Sequence, residues 1–302
     1  TSKNDKIFLS MDNQLIQIYL LVCQIYHNCS SLKYQRLSNF KPLLSDEEII
    51  TIYLFGQLNN KHKARQIYDL IDQYWSNWFP ELPSYQAFNR RLNLLIDNFQ
   101  LLFTHLLQSL HCQSNNFSSD FLIDSMPIML SCGVRSNKAR VAPEIAKTGY
   151  SAVKQTHFYG VRLHLIAAKQ PSSLPLPSKI WLKEGNVHDL VALKEISDEL
   201  PSGINLYGDK AYLDEEFKRA LREQQIQMFT PIKKPKKGDL AKEEKDFNKM
   251  VSKIRQPIES FFKWLIDKTD IQRASSVRST EGLIIHCLGK LTFALFLLNF
   301  YY

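Results

Sequence analysis

Phe121-Leu122-Ile123-Asp124 and Leu206-Tyr207-Gly208-Asp209 are two short apolar runs that each end in a carboxylate. Runs of this length flanked by polar and turn-forming residues read as buried strands, and each would deliver an acid at its end. Side by side, such strands present Asp124 and Asp209 together. Crowded carboxylates repel one another, and a hard divalent cation such as Mg²⁺ both prefers their oxygens and relieves the repulsion. Taken singly, each aspartate reads as an ordinary turn or cap residue.

Around these runs the chain changes character near Gln113 to Ser119. Before that boundary the pattern is helical: Leu15, Ile18, Tyr19, Val22 and Tyr26 recur at three- and four-residue spacing, as do Ile49, Ile52, Tyr53 and Leu58. Ser45-Asp46-Glu47-Glu48 reads as a capping box, and Ser84, after Pro80 and Pro83, as the cap of a helix from Tyr85 to about Gln108. After it, short apolar runs alternate with amphipathic stretches, the signature of a mixed α/β unit. Strands are expected at Phe121 to Asp124, Phe158 to Ala168, Lys179 to Leu182, Asn205 to Gly208 and Gln227 to Phe229. Helices are expected over Leu190 to Leu200, Glu215 to Gln225, Glu243 to Asp267 and Thr280 to the end, while Gly133 to Gln155 shows no clear period. The expectation is therefore a helical domain over residues 1–116 and an α/β domain over 117–302.

The helix over Glu243 to Asp267 carries a third acid. Phe247, Val251, Ile254, Ile258, Phe261 and Leu265 mark its buried face, and Arg255, Glu259 and Lys263 share another stripe at i, i+4 and i+8. A surface ladder of ion pairs is the plain reading of that stripe. Beside two strand-end acids, Glu259 becomes a candidate third ligand. Pro257 should kink or restart this helix.

Bulk properties narrow the class of partner. The 302 residues are 44% hydrophobic and 23% charged, ordinary for a folded globular chain. Lys and Arg total 38 against 30 Asp and Glu, a net charge of +8 that favours a polyanion. Five scattered cysteines without a C-x-x-C pair argue against a disulfide framework and a structural zinc site, in keeping with a reducing cytoplasm. No signal-peptide pattern opens the chain, and the apolar stretch Leu291 to Tyr302 is shorter than the roughly 20 residues that span a bilayer, so no membrane is expected.

Cations cluster where they could meet a phosphate backbone. Lys233, Lys234, Lys236 and Lys237 form a proline-punctuated loop ahead of the helix that carries Glu259. Gln86, Asn89 and Arg90 are types that read base edges, and Arg91 suits phosphate, if Tyr85 opens the second helix of a helix-turn-helix. Lys61, His62, Lys63 and Arg65 form a second basic cluster. Solvated loops and amphipathic faces are the plain alternatives. His188 is a candidate auxiliary ligand or outer hydrogen-bond partner, whereas Asp189 reads as a helix cap.

Asp124, the segment Gly208-Asp209-Lys210-Ala211-Tyr212 and Arg255-x-x-x-Glu259 resemble the three acids of the DDE transposases of bacterial insertion sequences. Gly160-Val161-Arg162-Leu163-His164 and Gly185-Asn186-Val187-His188-Asp189 look like two further segments of that family, with the insertion sequence 982 family nearest. Ser252 and Ile266 stand where relatives often carry Tyr and Lys. The resemblance implies a ribonuclease H-like mixed sheet flanked by helices, preceded by an all-α N-terminal domain. It further implies two Mg²⁺ or Mn²⁺ ions on Asp124, Asp209 and Glu259, with Arg255, Lys263 and Lys210 on DNA. The partners implied are terminal inverted repeats and target DNA, acted on by a homodimer at the bacterial nucleoid. The rival functions are a metal-dependent nuclease that does not join strands and a non-catalytic DNA-binding protein.

Overall fold

The computed structural model describes residues 10–28, 43–113, 118–235 and 238–301. The chain divides into two compact units: Thr1–Ser109 with Glu281–Tyr302, and Leu110–Thr280.

The first unit is helical in its described residues: α1 (Met11–Asn28), α2 (Asp46–Leu58), α3 (Ala64–Tyr74), α4 (Tyr85–Leu94), α5 (Ile96–Gln113, which runs past the unit boundary) and, from the far end of the chain, α9 (Thr280–Phe300). Ser45 closes the capping box, accepting from the Glu48 amide at 3.1 Å while the Glu48 carboxylate accepts from the Ser45 amide. The next nine residues, Ile49–Gln57, are all buried, so α2 is the central rod of this unit. One long helix was expected from Tyr85, but Leu95 breaks it into α4 and α5.

Placing the last helix with the α/β domain does not match the structure. α9 is long and apolar enough to cross a membrane, yet it is largely buried within the helical unit. Gly289 lies against the Tyr53 ring, the Thr292 hydroxyl donates to the Phe99 carbonyl, and the Asn299 amide donates to the Leu106 carbonyl at 3.0 Å. A helix apolar on all sides carries no preferred face, so its period cannot name its partner.

The second unit is built on a six-stranded sheet: β1 (Asp120–Cys132), β2 (Lys147–Ser151), β3 (Thr156–Ala168), β4 (Leu176–Glu184), β5 (Asn205–Tyr207) and β6 (Gln227–Phe229). β3 is antiparallel to β1, while β2 and β4 share its far edge, β2 over Thr156 to Gly160 and β4 over Val161 to Ala168. On the other side of β1, β5 runs parallel to it and β6 parallel to β5. Ile123, Ile166, Leu206 and Met228 on one face of the sheet pack with Leu193 of α6 (Asp189–Lys194) and with Phe217 and Leu221 of α7 (Glu215–Glu223). Against β1 and β5 lies α8 (Lys242–Thr269), through Val251, Ile258, Phe261 and Leu265. It runs unbroken through Pro257, without the restart that was one expectation there. The proline removes one bond, to the Lys253 carbonyl, and buried residues on the flanking turns hold the rod.

Other departures are local. The strand expected to stop at Asp124 continues to Cys132, with a bulge between Met129 and Ser131. β2 lies inside the interval without a period, and the helix expected over Leu190 to Leu200 is α6 followed by a 3₁₀ turn at Ser197–Glu199.

Candidate active site

The β1–β5 register brings the two aspartates together. Asp120, Phe121 and Leu122 pair with Asn205, Leu206 and Tyr207, a constant offset of 85 positions. The same offset separates Asp124 from Asp209. β5 ends at Tyr207, so Asp209 caps the 3₁₀ turn Lys210–Tyr212, accepting from the Ala211 amide at 2.8 Å. Asp124 stays within β1, beyond the last residue of β5, where the open edge of the strand leaves room beside it.

Asp124 Oδ1 accepts from the Ser125 amide at 2.8 Å, and Oδ2 from Arg255 Nη2 on α8 at 2.9 Å. Its side chain is 20% exposed. Burial, with the Asp209 and Asp189 carboxylates nearby, pushes its pKa up to about 6, against the opposing pull of Arg255 and the Ser125 amide. The two donors, the Ser125 amide and the Arg255 guanidinium, thus do not balance the desolvation and the neighbouring negative charge.

The same Arg255 nitrogen lies 3.9 Å from Glu259 Oε1, one helical turn on. Asp124 and Glu259 therefore flank one nitrogen, but Glu259 is 64% exposed and stands at the rim. The structure clusters Asp124, Asp209 and Arg255 and leaves Glu259 on the solvent side. Among the described residues no three His, Cys, Asp or Glu side chains form a ready metal cage.

Behind the acids sits Tyr212, fully buried, its hydroxyl without a hydrogen-bond partner. Burial first, then the Asp189, Asp124 and Asp209 charges, pushes its pKa well above the ordinary tyrosine value. Asp189 is not the helix cap expected of it. His188 is the cap, its Nδ1 accepting from the Leu190 amide at 3.3 Å. Asp189 is the first helical residue and points to β1, where its Oδ1 accepts from the Ser125 hydroxyl at 2.6 Å. A carboxylate at the first turn of a helix looks the same in sequence whether it faces solvent or a neighbouring strand.

Lys210, Lys233 and Lys263 are exposed. Lys234 is exposed but lies 3.6 Å from Asp239; Lys236 and Lys237 fall outside the described residues. On α4, Gln86 and Arg90 are exposed and Asn89 is half-buried. Arg91 is not free for phosphate: its guanidinium donates to the Leu44 carbonyl and, at 2.9 Å, to Asp46 at the start of α2. A charged side chain held by an internal carboxylate and carbonyl serves packing before it serves a ligand.

An antiparallel group around β3 extended by parallel strands, with paired aspartates at the point where the parallel strand stops, defines a carboxylate-centred α/β domain. The Transposase DDE domain family matches residues 115–279, more than half of the chain, and the chain belongs to that family. Among solved structures, a piggyBac transposase synaptic complex with hairpin DNA, determined by cryo-EM, is similar at 8% identity. That likeness covers 97% of this chain and 76% of the other, with a TM-score of 0.48, too distant to carry residues or activity across. No curated protein matches the chain.

Proposed function

We propose that the chain is a DNA transposase of an insertion sequence, nearest the 982 family, that cuts at the element's ends and transfers the 3′-hydroxyl strands to target DNA. The observation that carries this reading is the parallel register that sets Asp124 beside Asp209, within a chain whose family is the transposase DDE domain. The strand order, an antiparallel group on one side of β1 and parallel β5 and β6 on the other, supports a ribonuclease H-like fold.

The residues fit a hard divalent cation. The donors are all carboxylate oxygens, and burial, followed by the nearby Asp209 and Asp189 charges, leaves ionised Asp124 without full compensation from the protein. Asp124, Asp209 and Glu259 would hold the two Mg²⁺ or Mn²⁺ ions. Such ions, when bound, would supply activation of a hydroxyl and charge stabilisation for a leaving oxygen. The chain's own share is geometric and electrostatic. Arg255 restrains Asp124 and Glu259, while exposed Lys210, Lys233 and Lys263 supply charge for the phosphodiester backbone. A homodimer would bring two element ends together in the bacterial cytoplasm, with Gln86, Asn89 and Arg90 of the helical unit reading the terminal repeats.

The test is incubation of the purified chain with linear DNA carrying candidate element ends and a target plasmid, in Mg²⁺ or EDTA, with the cut and joined strands mapped. Metal-dependent cuts with joined 3′ ends are expected. Cuts without joining make the chain a nuclease, and end binding without cuts makes it a non-catalytic DNA-binding protein.

A further inference from the structure

Successive residues of a strand point to opposite faces. Asp124 points to the α8 side, where it meets Arg255; Ser125 therefore points to the side packed by α6 and α7. Ser125 lies opposite His164 on β3, and His164 lies opposite Trp181 on β4, so these side chains form a row across three strands. His164 and Trp181 are stacked, with ring centroids 5.2 Å apart. Into this row α6 delivers Asp189. Its Oδ1 accepts from the Ser125 hydroxyl at 2.6 Å and lies 3.8 Å from both Arg162 Nη1 and His164 Nδ1.

Two features show that this cluster is unfinished as plain packing. His164 is 0% exposed, yet neither ring nitrogen has a hydrogen-bond partner, and burial holds it neutral with a pKa of about 4. The Tyr212 hydroxyl, equally buried and partnerless, senses Asp189, Asp124 and Asp209 together. A fold that required only apolar packing here would place no carboxylate against partnerless polar atoms.

We propose that Asp189 is a fourth functional carboxylate of the centre, a positioning residue that acts on Asp124 through Ser125 and adds its negative charge to the field that receives the cations. This rests on the metal reading above. The connection is short: Asp189 anchors the Ser125 hydroxyl, and the Ser125 amide orients the Asp124 carboxylate. Outer hydrogen-bond partners of metal-binding carboxylates typically change metal affinity about 10- to 100-fold when removed.

The experiment is Mn²⁺ titration followed by electron paramagnetic resonance on the wild-type chain and the Asp189→Asn, Ser125→Ala and Asp124→Asn variants, with melting temperature and DNA affinity measured in parallel. Asp189→Asn keeps an acceptor for Ser125 and removes the charge; Ser125→Ala keeps the charge and cuts the connection. Both are expected to weaken Mn²⁺ binding about tenfold, with DNA affinity and melting temperature close to wild type. Should Asp189→Asn fail to fold, Ser125→Ala decides. Wild-type Mn²⁺ affinity in both variants, alongside loss of binding in Asp124→Asn, overturns the role of Asp189 and leaves the metal reading standing. Absence of saturable Mn²⁺ binding in the wild-type chain overturns both.

Discussion

Asp124→Asn should make the protein more stable while removing its activity. In the folded chain the carboxyl is pushed from 3.8 up to about 6, first by burial and then by Asp209 and Asp189. A group whose folded pKa lies above its unfolded value stabilises the fold below the unfolded pKa, and that contribution is lost as pH rises through the folded one. Ionised Asp124 therefore costs about 3 kcal/mol at neutral pH. The pull of Arg255 is already contained in that shift, so asparagine, neutral like protonated Asp124, removes the whole penalty. A gain of about 3 kcal/mol corresponds to a melting temperature about 6–12 °C higher in a unit of this size. Calorimetric melts of both proteins in EDTA between pH 4 and 8 measure it. The gap should be small near pH 4, open through pH 6 and level off above pH 7. A variant less stable than wild type at pH 7.5, or a gap independent of pH, would refute the reasoning.

Glu259→Gln should abolish strand cleavage in Mg²⁺ yet shift stability by less than about 0.5 kcal/mol, since the side chain is 64% exposed; cleavage and thermal melts on the same preparation check both. Gly160→Ala should destabilise the α/β unit by about 3 kcal/mol or more, because its Cβ would fall 2.0 Å from the Ile128 carbonyl oxygen beside the β1 bulge; urea denaturation reads the loss. Changing Lys233, Lys234, Lys236 and Lys237 together to Ala should lower the slope of log DNA affinity against log salt by about 2 to 4, measured by fluorescence anisotropy, with Lys234 contributing less than a full charge because Asp239 already faces it.

Much of the α/β unit was legible because its strands are runs of apolar residues bounded by polar turns. Gln227–Phe229 matched its expected bounds, and Asp124 and Asp209 fall at the same distance beyond their paired strand segments. β2 escaped because Lys-Thr-Gly-Tyr-Ser is a polar edge strand whose pairing to β3 is set by the sheet and not by its own pattern. The bounds of β1 escaped for a related reason: after Asp124 the strand continues on its pairing with β3 and on a bridge from Met129 to Arg273, both set by distant parts of the chain. Asp189 was read as a cap because first-turn acids favour helix N-termini; only the pairing of Ser125 with His164 reveals what the carboxylate faces. Arg91 and α9 illustrate the same limit, since an internal carboxylate or a surrounding bundle leaves no local periodic trace.

The central claim is that Asp124, Asp209 and Glu259 hold the same divalent cations. Fe²⁺ in place of Mg²⁺, with ascorbate and peroxide, cleaves the polypeptide beside the bound metal, and mass spectrometry maps the cuts. The account predicts cuts in β1 near Asp124, in the turn at Asp209 and in α8 near Glu259, all suppressed by excess Mg²⁺. Cuts at the two aspartates with α8 left intact, in the presence of DNA ends, would contradict it.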